Sequence, residues 1–247
     1  MKTQLINARD AARTIAHLLS DNEQSFTPRP LNRFSPEESR WWVIPSSEWP
    51  AYQYGKYTFW VENNTLCCGL GIEKGLEPKV ALLYSKGKPS PLALDKEWAW
   101  YGFLDSLKSG ELAEVFSLIE DHIERPVQLE ISIHPLRDRG DDFNRYETRF
   151  DQNETRFDQI RFSSTSNQLS ITTDEITNPD FNALKKISSL ADLYKILTSD
   201  LLAWFWVDFN IWVPFKLPEE GDNPQGLWSA WDITERILLP LGRWVHK

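Results

Sequence analysis

The sequence predicts an α+β fold, with helices packed on one face of a predominantly antiparallel sheet. Three observations carry this expectation. Residues 56–72 read as a hairpin, because Asn63-Asn64 supplies two residues that tolerate the positive φ of a two-residue turn. Val127, Leu129, Ile131 and Ile133 alternate with Gln128, Glu130, Ser132 and His134, the pattern of a strand with one apolar and one wet face. Apolar residues recur at helical spacing in several other stretches. Tight turns favour antiparallel pairing, and an apolar sheet face needs a second layer to bury it.

In chain order, the first helix is expected over Asn7–Leu19. Ala8, Ala11, Ala12, Ile15, Leu18 and Leu19 share one face, and Asn7 is a fitting N-cap. Residues 26–50 are read as an extended Pro- and Trp-rich segment. Pro28, Pro30, Pro36, Pro45 and Pro50 oppose a regular element, and Trp41, Trp42 and Trp49 pin the segment over the domain. In the hairpin, pairing across Asn63-Asn64 sets Val61 opposite Leu66, Phe59 opposite Cys68 and Tyr57 opposite Leu70 on the apolar face. Trp60 then faces Cys67, Thr58 faces Gly69, and Lys56 faces Gly71. Lys79–Tyr84 reads as another strand. Helices are expected from Trp98 through Tyr101 and Leu104, and from Glu111 with Leu112, Val115, Phe116, Ile119 and Ile123 inward. Phe181 to Leu197 reads as one long amphipathic helix. Leu227 to Leu238 reads as a final helix stopped by Pro240.

The stretch from Leu201 to Phe215, LLAWFWVDFNIWVPF, is expected to organise the sheet. As a strand, it turns Phe205, Val207, Phe209, Ile211, Val213 and Phe215 to one wholly apolar face. The opposite face carries Trp204, Trp206, Asp208, Asn210 and Trp212. It is expected to be either covered by the Trp41-Trp42-Trp49 segment or the last helix, or open to a partner.

Composition narrows the function classes. A chain of 247 residues can bury a sizeable core, and it is read as a single domain over 1–247. A net charge of −9 disfavours nucleic acid or an anionic membrane as partner, since either needs a basic face. The Arg137–Arg161 window interleaves its arginines with acids, and it holds a duplication, ETRFDQ-N-ETRFDQ, at 147–159. That repeat is read as a small tandem insertion extending a ribbon or loop. The adjacent Cys67 and Cys68 suit a reducing cytoplasm rather than a disulfide. No apolar run approaches the ~18 residues of a membrane span.

No catalytic motif stands out. His17, His122, His134 and His246 show no zinc spacing, Gly69–Gly75 is not a phosphate loop, and no metal or cofactor is expected. With 12 tryptophans, the leading expectation is a non-enzymatic binding protein, an accessory or regulatory subunit of a prokaryotic-type cytoplasmic complex. Its candidate partner-binding residues are Trp41, Trp42, Trp204, Trp206, Asp208, Asn210 and Trp212. In general character alone, with no residue carrying it, the chain is similar to accessory proteins of CRISPR and other defence loci. Two alternatives stand beside this. One is a hydrolytic or small-molecule enzyme using scattered residues such as Asp208, His134 or Glu130; the other is an aromatic single-strand nucleic-acid binder, which the charge opposes.

Overall fold

The computed structural model describes residues 7–21, 23–32, 34, 40–46, 55–88, 93–123, 127–135, 155–163, 168–171, 186–203, 205–219, 221 and 227–243. Trp49, Trp204, Phe181, Leu184, His246 and the first ETRFDQ copy lie outside these residues, as does all of the Arg137–Arg161 window before Thr155.

The chain forms an α+β fold around one eight-stranded antiparallel sheet. The strands are β1 (Phe26–Pro30), β2 (Trp41–Pro45), β3 (Lys56–Glu62), β4 (Thr65–Lys74), β5 (Gln128–Pro135), β6 (Thr155–Ser163), β7 (Gln168–Ile171) and β8 (Phe205–Lys216). Their spatial order is β1-β2-β3-β4-β8-β5-β6-β7, so the last strand in sequence is central. β8 pairs with β4 from Thr65–Lys216 to Lys74–Val207, and with β5 from Gln128–Trp212 to Pro135–Phe205. The organising role expected of this stretch is therefore met by its position in the sheet.

The β3–β4 hairpin has the predicted register at every pair, including Phe59–Cys68 and Trp60–Cys67. Asn63 and Asn64 take φ of 47° and 57°, the left-handed pair that a two-residue turn matching strand twist requires. Phe59, Cys68, Tyr57 and Leu70 are buried, whereas Val61 at the hairpin tip is exposed.

Helices cover the apolar face. α1 (Ala8–Leu19) starts at Asn7, whose side chain accepts the Asp10 N–H at 2.8 Å. Its buried alanines let it lie close to β1, β2 and β3. α3 (Ala99–Ser109) and α4 (Glu111–Glu120) meet at Gly110, whose φ of 87° makes the sharp reversal. From α3, Phe103 packs against Phe209 of β8 with ring centroids 4.6 Å apart and planes tilted by 36°. In α4, Leu112, Val115, Phe116 and Ile119 are buried as their spacing predicts.

Five expectations are corrected. Lys79–Tyr84 is not a strand but helix α2 (Pro78–Tyr84), with Pro78 in its first turn where the missing N–H costs nothing. A short apolar run carries too few residues for period 2 and period 3.6 to be told apart. The α3 helix starts after Trp98, and it buries Trp100, Phe103 and Leu107 while leaving Tyr101 partly exposed.

The prolines of 26–50 do not break every regular element, because β1 and β2 lie among the described residues of that stretch. The prolines are tolerated in β1 because it is an edge strand with an open hydrogen-bonding side. The long helix ending at Leu197 is only α5 (Leu190–Leu197) in the described residues. Ser189 caps it by accepting the Asp192 N–H at 3.1 Å, which fixes its start.

Pro240 does not stop the last helix. That helix runs through α6 (Ala230–Ile233), a π turn over Thr234–Leu238 and α7 (Leu239–Gly242). The wider π turn ends where Pro240 could not have donated an α-helical hydrogen bond.

Candidate functional site

α1 packs against β1, β2 and β3, and α3 and the last helix against β4, so the site begins with the sheet's second face. Strand alternation fixes its lining. β3 contributes Lys56, Thr58 and Trp60. β4 contributes Glu73, Gly71, Gly69 and Cys67, and β8 contributes Trp206, Asp208, Asn210 and Trp212. Glu130 of β5 lies beside Asn210, and Trp42 of β2 lies beside Thr58.

The two β4 glycines shape this face. A Cβ at Gly69 would overlap the Ile211 carbonyl oxygen of β8, and a Cβ at Gly71 would lie 2.8 Å from the Asn210 Oδ1. With no side chains there, residues of β3 and β8 meet across β4. The Trp60 and Trp212 rings sit 5.9 Å apart, tilted by 46°.

Arg40, just before β2, lies against both rings, its guanidinium carbon 4.9 Å from the Trp60 centroid and 5.3 Å from that of Trp212. The same guanidinium donates to both Glu130 oxygens, at 3.1 and 3.2 Å. Trp212 Nε1 donates to Glu130 at 3.1 Å, completing a closed cluster. β3, β4 and β8 separate β2 from β5, so a flat sheet would place the two strands ~19 Å apart. Contact between Arg40 and Glu130 therefore means that the sheet and its connections curl towards this face. Glu130, expected on a wet strand face, is in fact buried.

A second cluster adjoins the first. Lys56, 4% exposed, pairs with Glu73 and lies 3.9 Å above the Trp42 ring. Burial pushes its ammonium down to about 8, while the charge of Asp208 opposes that shift. Asp208 accepts the Trp206 indole N–H at 3.3 Å. Glu73 and Asp208 are direct cross-strand neighbours, a repulsive placement that the Lys56 ammonium offsets.

The Lys56 geometry gives a pH prediction. Its folded pKa lies below its unfolded one, so its contribution is full above about 10.5 and is lost as pH falls to about 8. Between those values, wild type should gain up to about 3 kcal/mol relative to Lys56→Met, read from urea melts at each pH. Burial raises the Tyr57 phenol and the Cys68 thiol in both proteins, so their alkaline losses cancel in the difference. Parallel curves across that window would reject the account of Lys56.

The residues singled out in the sequence are only partly brought together. Trp42, Asp208, Asn210 and Trp212 line the second face. Trp41 points the other way, buried in the core opposite Phe59. Trp206 lies on the second face by alternation, but it is 1% exposed and packs edge-on against Trp98 at 6.2 Å. It presents no free indole. The last helix packs against α1, α4 and β4, and Trp49 of the expected covering segment lies outside the described residues. His134 pairs in backbone register with Trp206. Arg40, Trp60, Lys56 and Glu73 were not expected at the site. The Trp60–Cys67 and Lys56–Gly71 pairings placed two of them on this face, but nothing in the sequence linked Arg40 to Glu130 across 90 residues.

Among the described residues, no group of three or more His, Cys, Asp or Glu is placed to hold a metal ion. No described helix is long and apolar enough to cross a membrane. No family model, curated protein or solved structure matches the chain.

Proposed function

We propose that the chain is a non-enzymatic protein-binding subunit, accessory or regulatory in a cytoplasmic complex, and that it docks its partner on the second face of the sheet. The observation behind this reading is the character of that face. Half-buried Trp42, Trp60, Asp208 and Asn210 stand on the face opposite the one that α1 and α3 cover among the described residues. Aromatic anchors flanked by fixed polar groups are the composition of an interface centre. The carboxylates of the face are already engaged, Glu130 by Arg40 and Trp212, Glu73 by Lys56, and Asp208 by Trp206. That engagement favours recognition over the acid-base work of a hydrolase. Net charge of −9 keeps single-strand nucleic acid the weaker alternative.

The test is native mass spectrometry of the tagged chain purified from its own cells. A stoichiometric complex heavier than the 28.8 kDa chain is expected. In calorimetry with that partner, Trp60→Ala should lose at least ~2 kcal/mol of binding, with a thermal melt confirming that the variant is folded. A lone monomer, or a folded Trp60→Ala with unchanged affinity, overturns this reading.

A further inference from the structure

The walls around Arg40 have the chemistry of a cation receptor. The guanidinium rests over two tilted indole rings 5.9 Å apart, a carboxylate closes the end, and Gly69 leaves the floor without a side chain. Aromatic faces attract a cation through their quadrupoles, and the planar guanidinium matches a carboxylate in a two-pronged contact. The carboxylate is itself held in place by the Trp212 indole N–H, so the slot is preorganised. Independent of Arg40, two polar atoms beside the slot are left unsatisfied. Trp60 Nε1 and Thr58 Oγ1 are both buried with no hydrogen-bond partner, and Thr58 as a whole is 2% exposed. They belong to adjacent same-face positions of β3. A buried donor without a partner is uncommon in a folded protein, and Trp60 Nε1 can take one more acceptor.

We propose that the Trp60–Trp212–Glu130 slot is an arginine-recognition site, filled here in cis by Arg40 and taken in trans by an arginine of a protein partner. The inference rests on the protein-binding reading above and names the partner's chemistry. An arginine within a peptide supplies both requirements together. Its guanidinium replaces that of Arg40, and its main-chain carbonyl accepts from Trp60 Nε1. The Arg40 side chain is 22% exposed, and in the exchange its head turns out by rotation about its own side-chain bonds. No bond is made or broken; one ion pair exchanges for another, and the occupant with more hydrogen bonds wins.

The slot is tested by refilling it. Arg40→Ala should melt at a lower temperature than wild type, and low millimolar methylguanidinium should restore part of the loss saturably, as ligand linkage requires. Methylammonium, a point charge without the fork, should bind roughly tenfold more weakly, and Glu130→Gln in the same background should cost a similar factor. Sodium chloride at equal concentration is the ionic control. Should Arg40→Ala not fold alone, methylguanidinium should bring back its near-ultraviolet circular dichroism.

Exchange is tested on the wild type by titrating N-acetyl-arginine-N-methylamide. The readout is the Trp60 indole N–H resonance, assigned by its loss in Trp60→Phe. A saturable shift is expected, at an apparent Kd roughly tenfold or more above that of Arg40→Ala, because Arg40 must be displaced. No saturable restoration of Arg40→Ala, or restoration that survives Glu130→Gln, overturns the slot. A wild-type Trp60 resonance that does not move at a hundred times the Arg40→Ala Kd overturns exchange. None of these arms needs the partner, so a chain that weighs as a monomer yet shows them all rejects the protein-binding reading and leaves the slot standing.

Discussion

Gly69→Ala is expected to destabilise the protein by more than about 3 kcal/mol, beyond the usual cost of overpacking, and to lower its expression as folded protein. The reason lies in the backbone. A Cβ at this position would overlap the Ile211 carbonyl oxygen of β8, and its next contacts are also β8 main chain. Strands cannot yield as a side chain does, and β4–β8 is the central pair of the sheet. Gly71→Ala is the internal comparison. Its nearest obstacle is the Asn210 side-chain oxygen at 2.8 Å, the end of a rotatable amide, so the cost should be smaller. Urea melts of the two variants decide the matter. Equal losses would mean that the close approach at Gly69 does not govern this pair.

These two glycines also show how much of the molecule was legible in the sequence. The hairpin was readable because its turn, its register and its burial pattern all came from one local stretch of chain. Asn63 and Asn64 fixed the turn, and period-2 alternation then assigned every pair. β5 and α4 were readable for the same reason, each carrying its own period. Legibility failed where the deciding partner was distant or the local pattern was short. The helix Pro78–Tyr84 is too brief for its period to speak, and β1 is a strand despite its prolines only because it sits at the sheet edge.

The candidate site was half legible. Alternation along Phe205–Phe215 put Asp208, Asn210 and Trp212 on one face, which the sheet keeps. The same alternation made Trp206 look available, but Trp98, over 100 residues earlier, packs against it. Burial of that kind is a property of chain crossing, and no window of sequence contains it. The Arg40–Glu130 cluster is the extreme case, since it depends on β8 being inserted between β4 and β5. Sequence shows three strands with wet faces. Only the strand order shows that their charged and aromatic residues share one enclosure.

Glu130→Ala is expected to cost about 3 kcal/mol, the lower end of the loss for breaking one partner out of a buried ion pair, because the Arg40 side chain keeps 22% of its surface exposed. Two orphans result from that one truncation. The Arg40 guanidinium loses both of its carboxylate contacts while still held against two indoles, and Trp212 Nε1 loses its acceptor. Glu130→Gln should cost less, because its amide oxygen can still accept from the indole while the charge contact is lost. The contrast with a double change is the sharper test. In Arg40→Met/Glu130→Leu no charge is buried and the apolar replacements pack on the indole faces, so stability should return to within about 1–2 kcal/mol of wild type. Such non-additivity is what a coupled pair produces and independent sites do not. Urea denaturation of the single and double variants measures it directly. If the double variant loses the sum of its single losses, Arg40 and Glu130 are not energetically coupled, and the cluster across the second face does not hold the sheet's curl.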